Sequence, residues 1–378
     1  MDMAGYFRCG LTVLTGSLAL LAAPLQAKAP LDCPMRDAPF SVDGPFIDMM
    51  LSDKAKAAFE AHMPGALAKL PPIMAGTTAP SFGSIMTPRK LMGLAGGGAA
   101  MDAGQLDAAL RAIAVTDADR ALRCARYDDD RPAFPRSKGK LRVLLFEKMT
   151  GFRDTPSVEA ANAAFRGLAD RNGWALSVTD KGGAMHRSVL EHFDVVIWNN
   201  VSGDVLTLTQ RAAFRKWVEG GGGFVGVHGT GGDPVYFWDW YPDTLIGARF
   251  IGHPSDPQFQ DARIQVEARP DGLAADLLPG WTMKDEWYSF EKSARLSGGH
   301  VIATLDEASY VPGTNRFGGP SLSMGADHPI AWTRCLGKGR SVYSAIGHRP
   351  ETYADANHLK LLQQAIIWAG KGKKVKCI

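Results

Sequence analysis

Residues 221–229 read GGGFVGVHG, and the fold turns on this stretch. Phe224, Val225 and Val227 form a short apolar run with no polar alternation, as in a strand covered on both faces within a parallel sheet. The preceding glycines end a helix whose start is marked by Thr207-Leu208-Thr209-Gln210, an S/T-x-x-Q capping box. Working outward, Asp194 to Trp198, Leu141 to Phe146 and Trp174 to Val178 read as further strands, and Ser157 to Asn172 as a helix stopped by Gly173. Strands alternating with helices predict an α/β fold built on a doubly wound parallel sheet. Such sheets bind ligands at the carboxyl ends of their strands, which makes Glu147, Asn199, Asn200 and His228 candidate site residues on topology alone.

Six segments occur in order: GFRD from Gly151, DVVIWNN from Asp194, GGGFVGVHG from Gly221, IGARFIGHP from Ile246, DEWY from Asp285 and GKGRSVYSAIGH from Gly337. Together they resemble the ThuA-like (trehalose utilisation) family, from about Leu141 to Gly370. The resemblance implies a flavodoxin-like fold related to class I glutamine amidotransferases, and a role in sugar utilisation. After Gly-Phe-Arg the family often carries His, where this chain has Asp154.

The residues restrict the chemistry. A glutamine amidotransferase needs a thiolate at the strand-to-helix elbow, but His228 holds that position and no Cys lies between Cys124 and Cys335. Gly229, Gly231 and Gly232 match neither phosphate-binding motif and read as a tight turn. What remains is a set of imidazoles and carboxylates: His228, His253, Asp285, Glu286 and His348. In extended chain Asp285 and Trp287 face one way and Glu286 and Tyr288 the other.

The expected catalytic residues are therefore His228, Glu286 and His348. Glu286 would act as a base beside a sugar carbonyl, with the two histidines stabilising the developing oxyanion. The same three, with His253, are candidates to hold a divalent cation such as zinc, although no short-range ligand motif occurs. Asn199, Asn200, His253, Asp285, Trp287, Tyr288 and Trp238 are the expected substrate contacts, because flat rings beside polar side chains suit a sugar. The rings following His228 could equally form a hydrophobic cover over the sheet. The reading is a periplasmic enzyme that isomerises, eliminates or hydrolyses a glycoside or keto-sugar; the alternative is a non-catalytic carbohydrate-binding protein.

Residues 1–29 have the pattern of a secretory signal peptide: Arg8, then an apolar run, then small residues up to Ala29. Residues 30–136 read as a small all-α domain and linker, with helical spacing over Phe46 to Leu70 and Ala103 to Tyr127; residues 137–378 form the α/β domain. The stretch from Phe46 to Gly98 resembles a short helical domain attached to bacterial carbohydrate-active enzymes, and its methionines read as core filler. All nine Trp lie from Trp174 onward.

Once Cys9 leaves with the signal, Cys33, Cys124, Cys335 and Cys377 remain, preferably paired in that order so that each bridge brackets one domain. With 42 Lys plus Arg against 39 Asp plus Glu, the net charge of +3 gives no footprint for nucleic acid. No later segment is apolar enough to span a membrane. A small-molecule carbohydrate is the expected partner, and a homo-oligomer stays open.

Overall fold

The computed structural model describes residues 31–94, 102–135, 138–267, 272–314, 321–372 and 377; the expected signal peptide lies outside these. The chain begins with short helices: α1 (Phe46–Met50), α2 (Asp53–His62), α3 (Pro72–Ala75), α4 (Pro88–Leu94), α5 (Ala103–Arg111) and α6 (Asp117–Cys124). Phe46, Met49, Phe59, Met86, Leu106 and Leu110 bury against one another in a hydrophobic cluster of their own. A capping box between Thr116 and Asp119 starts α6.

Cys33 and Cys124 are bonded, with Cα atoms 5.5 Å apart, and tie the start of this segment to its last helix across 91 residues. Replacing both by Ser should cost about 2–5 kcal/mol by releasing that loop in the unfolded chain. Urea unfolding of the double variant checks this.

The apolar runs then give strands β1 (Arg142–Phe146), β2 (Ala175–Thr179), β3 (Val195–Asn199) and β4 (Gly223–Val227). Between them lie α7 (Thr155–Asn172), α8 (Arg187–Leu190) and α9 (Leu208–Glu219). Helix α7 ends at Gly173, whose φ of 68° is left-handed, and both halves of the Thr207–Gln210 capping box form on α9. Strand β11 (Gly339–Ser344) pairs parallel with β4, and α10 (Ala356–Ala369) follows. The parallel half thus runs β2-β1-β3-β4-β11, the flavodoxin-like order.

This parallel core bears out the expected doubly wound α/β fold, and beyond β11 the sheet continues in antiparallel pairs. Strands β6 (Gln260–Val266), β7 (Gly280–Asp285), β9 (His300–Asp306) and β10 (Pro329–Leu336) extend it to nine in the order β11-β10-β9-β6-β7, all antiparallel. Only Gly337 and Lys338 separate β10 from β11, and so short a link can join only antiparallel neighbours. Strands β6 and β7 alternate buried and exposed residues, as in a sheet with one wet face. A small second sheet pairs β5 (Phe250–Gly252) with β8 (Ser289–Phe290). The second disulfide joins Cys335 on β10 to Cys377.

Residues 31–378 form one compact unit. The N-terminal segment is fastened to the sheet by local bonds: Ser81 N donates to Thr150 O (2.9 Å), the Tyr127 hydroxyl to Asp204 (2.9 Å), and Thr209 N and Oγ1 to the Asp32 carboxylate (2.8 and 2.6 Å). Among the described residues no helix is long and apolar enough to cross a membrane.

Candidate active site

His228 follows the last residue of β4 with φ of 38°, a left-handed conformation rare for a side chain of this size. Its Nδ1 donates to Ala345 O at 2.7 Å, which turns Nε2 toward the cavity beyond the strand ends. Tyr343 holds the backbone from behind by donating to His228 O at 2.8 Å. Gly347 is required beside this turn: its φ is 136°, and a Cβ there would run into the Tyr353 hydroxyl.

Glu286 lies between β7 and β8 and reaches the same point. Its Oε2 is 3.0 Å from His348 Nδ1 and 3.5 Å from His228 Nε2, and the two ring nitrogens are 3.2 Å apart. Its Oε1 accepts from Gln258 Nε2 at 2.5 Å and lies 3.2 Å from His253 Nδ1. His348 Nε2 faces the Asp154 carboxylate at 3.9 Å. Burial alone would raise the Glu286 carboxyl, but hydrogen bonds from His228 and His348 and the charge of His253 hold it well below the usual carboxylate range. Burial alone would lower His348, but its hydrogen bond to Glu286 and the Glu286 charge raise it.

His228, Glu286 and His348 each offer one ligand atom, and the three lie within 4.8 Å of one another. A His₂-carboxylate set with one further position open is a common catalytic metal site. In such sites the remote nitrogen of each imidazole meets an acceptor that sets its tautomer and orientation. Ala345 O plays this part for His228, and Asp154 faces the remote nitrogen of His348.

The cluster forms one wall of a cavity of about 360 Å³, which Asn200, His253 and Tyr288 also line. Four residues expected to touch substrate lie elsewhere. Asn199 is fully buried and donates to Val158 O (3.1 Å) and Asn162 Oδ1 (3.0 Å). Asp285, also fully buried, accepts from Gly347 N (2.6 Å) and Arg349 N (3.1 Å), so it holds the loop that carries His348. Trp287 donates to Gln260 O at 2.8 Å inside the core. Trp238 packs against Trp240 and Tyr241 under the Arg211 guanidinium, in an aromatic cover away from the cluster. The first three find complete burial and hydrogen-bond partners behind the strand ends, and Trp238 is half-buried among other rings. Glu147, a candidate on topology, accepts from Asn162 Nδ2 at 2.5 Å and does not line the cavity.

The sequence reading missed Gln258, Asp233 and the whole wall contributed by the N-terminal segment. Asp233 is buried at the cavity edge, where Ser202 Oγ (2.6 Å) and Gly203 N (2.7 Å) donate to it. Burial raises its carboxyl to about 7 despite those donors. The folded protein therefore keeps a proton that the unfolded chain releases near its ordinary value of 3.8, so the stability this group adds is full below that pH and lost as pH rises through about 7. Asp233→Asn copies the protonated acid, with its amide donating to Ser202 Oγ and its carbonyl accepting from Gly203 N. Melting temperatures from pH 4 to 8 should fall less steeply in this variant than in the native chain, by several degrees over the window. Parallel curves would refute the assignment.

The sequence profile of the ThuA family, described as trehalose utilisation, matches residues 142–369. A ThuA-like protein of Bacteroides uniformis superposes with a TM-score of 0.53 at 24% identity, over 65% of this chain and 98% of its own. Another, from Parabacteroides merdae, gives 0.46 at 14% identity, over 63% and 92%. The first of these shows a shared fold. No curated protein matches the chain.

Proposed function

The chain belongs to the trehalose-utilisation (ThuA) family, and from that premise we propose that it is a carbohydrate-active enzyme working on a glycoside or keto-sugar at a divalent cation held by His228, Glu286 and His348. The observation that carries this reading is the meeting of His228 Nε2, His348 Nδ1 and Glu286 Oε2, with the remote nitrogen of His228 pinned by Ala345 O. A buried carboxylate among imidazoles, with no Lys or Arg paired to it among the described residues, is balanced by a cation better than by water. Zinc suits two nitrogens and one carboxylate oxygen.

A bound cation would supply a Lewis acid for a sugar carbonyl or hydroxyl. The chain's own groups do the rest. Glu286 already has Gln258 and His253 at one oxygen and two imidazoles at the other, so it serves the cluster rather than drawing a proton from substrate. His253, with 32% of its side chain exposed on the cavity wall, is the group placed to move a proton during isomerisation, elimination or hydrolysis. The Tyr288 ring lies 4.2 Å from that of His228, tilted by 31°, and limits how the imidazole can turn. The two disulfides support a periplasmic or extracellular site of action.

Metal analysis of the purified chain, before and after incubation with zinc, tests the reading. The native protein should hold close to one equivalent and His228→Ala should lose it. A native chain that takes up no zinc would overturn the cation centre.

A further inference from the structure

The cavity has two unlike sides. One carries the titratable cluster; the other is built by the N-terminal helical segment and the loop after β1, with Ile73, Met74, Phe82, Ile85, Met86 and Phe152. None of these six side chains offers a strong hydrogen-bonding group; on this side Lys90, whose side chain is exposed, adds an ammonium to the lining, and Asp154 and Ser157 follow Phe152 toward the cluster. A second sugar ring laid on these six would leave most of its hydroxyls unpaired, with Lys90 as the one ammonium on this side, at a cost its C–H faces would not recover. An apolar ring would bury area on it instead.

Two of these residues are large and apolar yet held in water: Ile73 is 52% exposed and Phe152 36%. They sit at the same cavity rather than singly on the surface. Phe152 links the two sides, stacking on the His348 ring at 6.4 Å and meeting Phe82 edge-on at 6.4 Å. The wall is also held in place. Ser81 N donates to Thr150 O, and Gly151 leaves no room for a side chain, since a Cβ there would lie 2.6 Å from Ile85 Cγ2. A rigid apolar surface loses little on binding, and the methionines adapt to the shape of what they meet.

We propose that this wall is the subsite for an apolar, ring-bearing aglycone, so that the preferred ligands are aryl or similarly apolar glycosides rather than oligosaccharides. The proposal rests on the carbohydrate reading of the cluster for the sugar half of the ligand. The wall itself does not depend on it. A cavity of about 360 Å³ has the size to take one sugar ring and one further ring together.

The test compares phenyl α-D-glucopyranoside, methyl α-D-glucopyranoside and phenol by calorimetry on the zinc-treated full chain and on Ile73→Asp/Met74→Asp. Ile73 is exposed and Met74 half-buried, so the double variant should fold, which circular dichroism checks. The phenyl glycoside should bind at least tenfold more tightly than the methyl glycoside, and most of that advantage should vanish in the variant while zinc affinity stays the same. Phenol that binds the native chain but not the variant, with neither glycoside bound, would uphold the apolar subsite and sink the carbohydrate reading. No phenyl advantage and no phenol binding, or an advantage unchanged in the variant, would overturn the subsite.

Discussion

Glu286→Gln should weaken zinc binding by about 100-fold or more and remove turnover, while the chain still folds. Gln matches Glu in shape but supplies no negative charge, and its amide nitrogen cannot ligate beside two imidazoles. The native carboxylate is 2% exposed, so no water replaces the lost charge. The fold should survive because Gln258 Nε2 can still donate to the amide oxygen that the substitution leaves at the Oε1 position. Calorimetric titration with zinc, alongside urea unfolding of the metal-free proteins, separates loss of the centre from loss of the fold. Unchanged zinc affinity would take Glu286 out of the coordination.

Asp285→Ala should be the most damaging change to stability near the site, at about 2–5 kcal/mol. The carboxylate is fully buried and satisfies two backbone donors, Gly347 N and Arg349 N, which flank His348. Removing it orphans both, each at about 1–3 kcal/mol, with partial relief because burial already raises this carboxyl. The released loop should also let His348 drift, lowering zinc affinity by about 10–100-fold, although Asp285 touches neither cation nor substrate. Asp285→Asn should fall between the two, since one amide oxygen can serve only one of the donors well. Native stability and native zinc affinity in the Ala variant would refute this positioning role.

Much of the parallel half is legible because neighbouring residues encode it. The runs that became β1 to β4, the Thr207 cap and the Gly173 stop are patterns a few residues long, and backbone sterics and local burial act over the same distance. The antiparallel half is less legible: among the described residues no α-helix separates its strands, and the β10–β11 pairing rests on a two-residue turn at Gly337 and Lys338 inside a stretch of mixed polarity. At the DEWY segment, alternation along extended chain sends Glu286 and Tyr288 to the cavity and leaves Asp285 and Trp287 behind it. It could not show that Asp285 spends both oxygens on the loop 62 and 64 residues further on.

The sequence by itself determined the parallel strands β1 to β4 and the imidazole, in place of a thiol, that follows β4. The ordered motifs single out His228 and His348 from the nine histidines, with Glu286; only the tertiary structure decided that their ligand atoms meet at one point, and that the N-terminal helices line the cavity from the other side. The physical reason is distance along the chain. His228, Glu286 and His348 meet through strand register and loop packing, whose energies belong to residues far apart in sequence, and no local pattern carries that information.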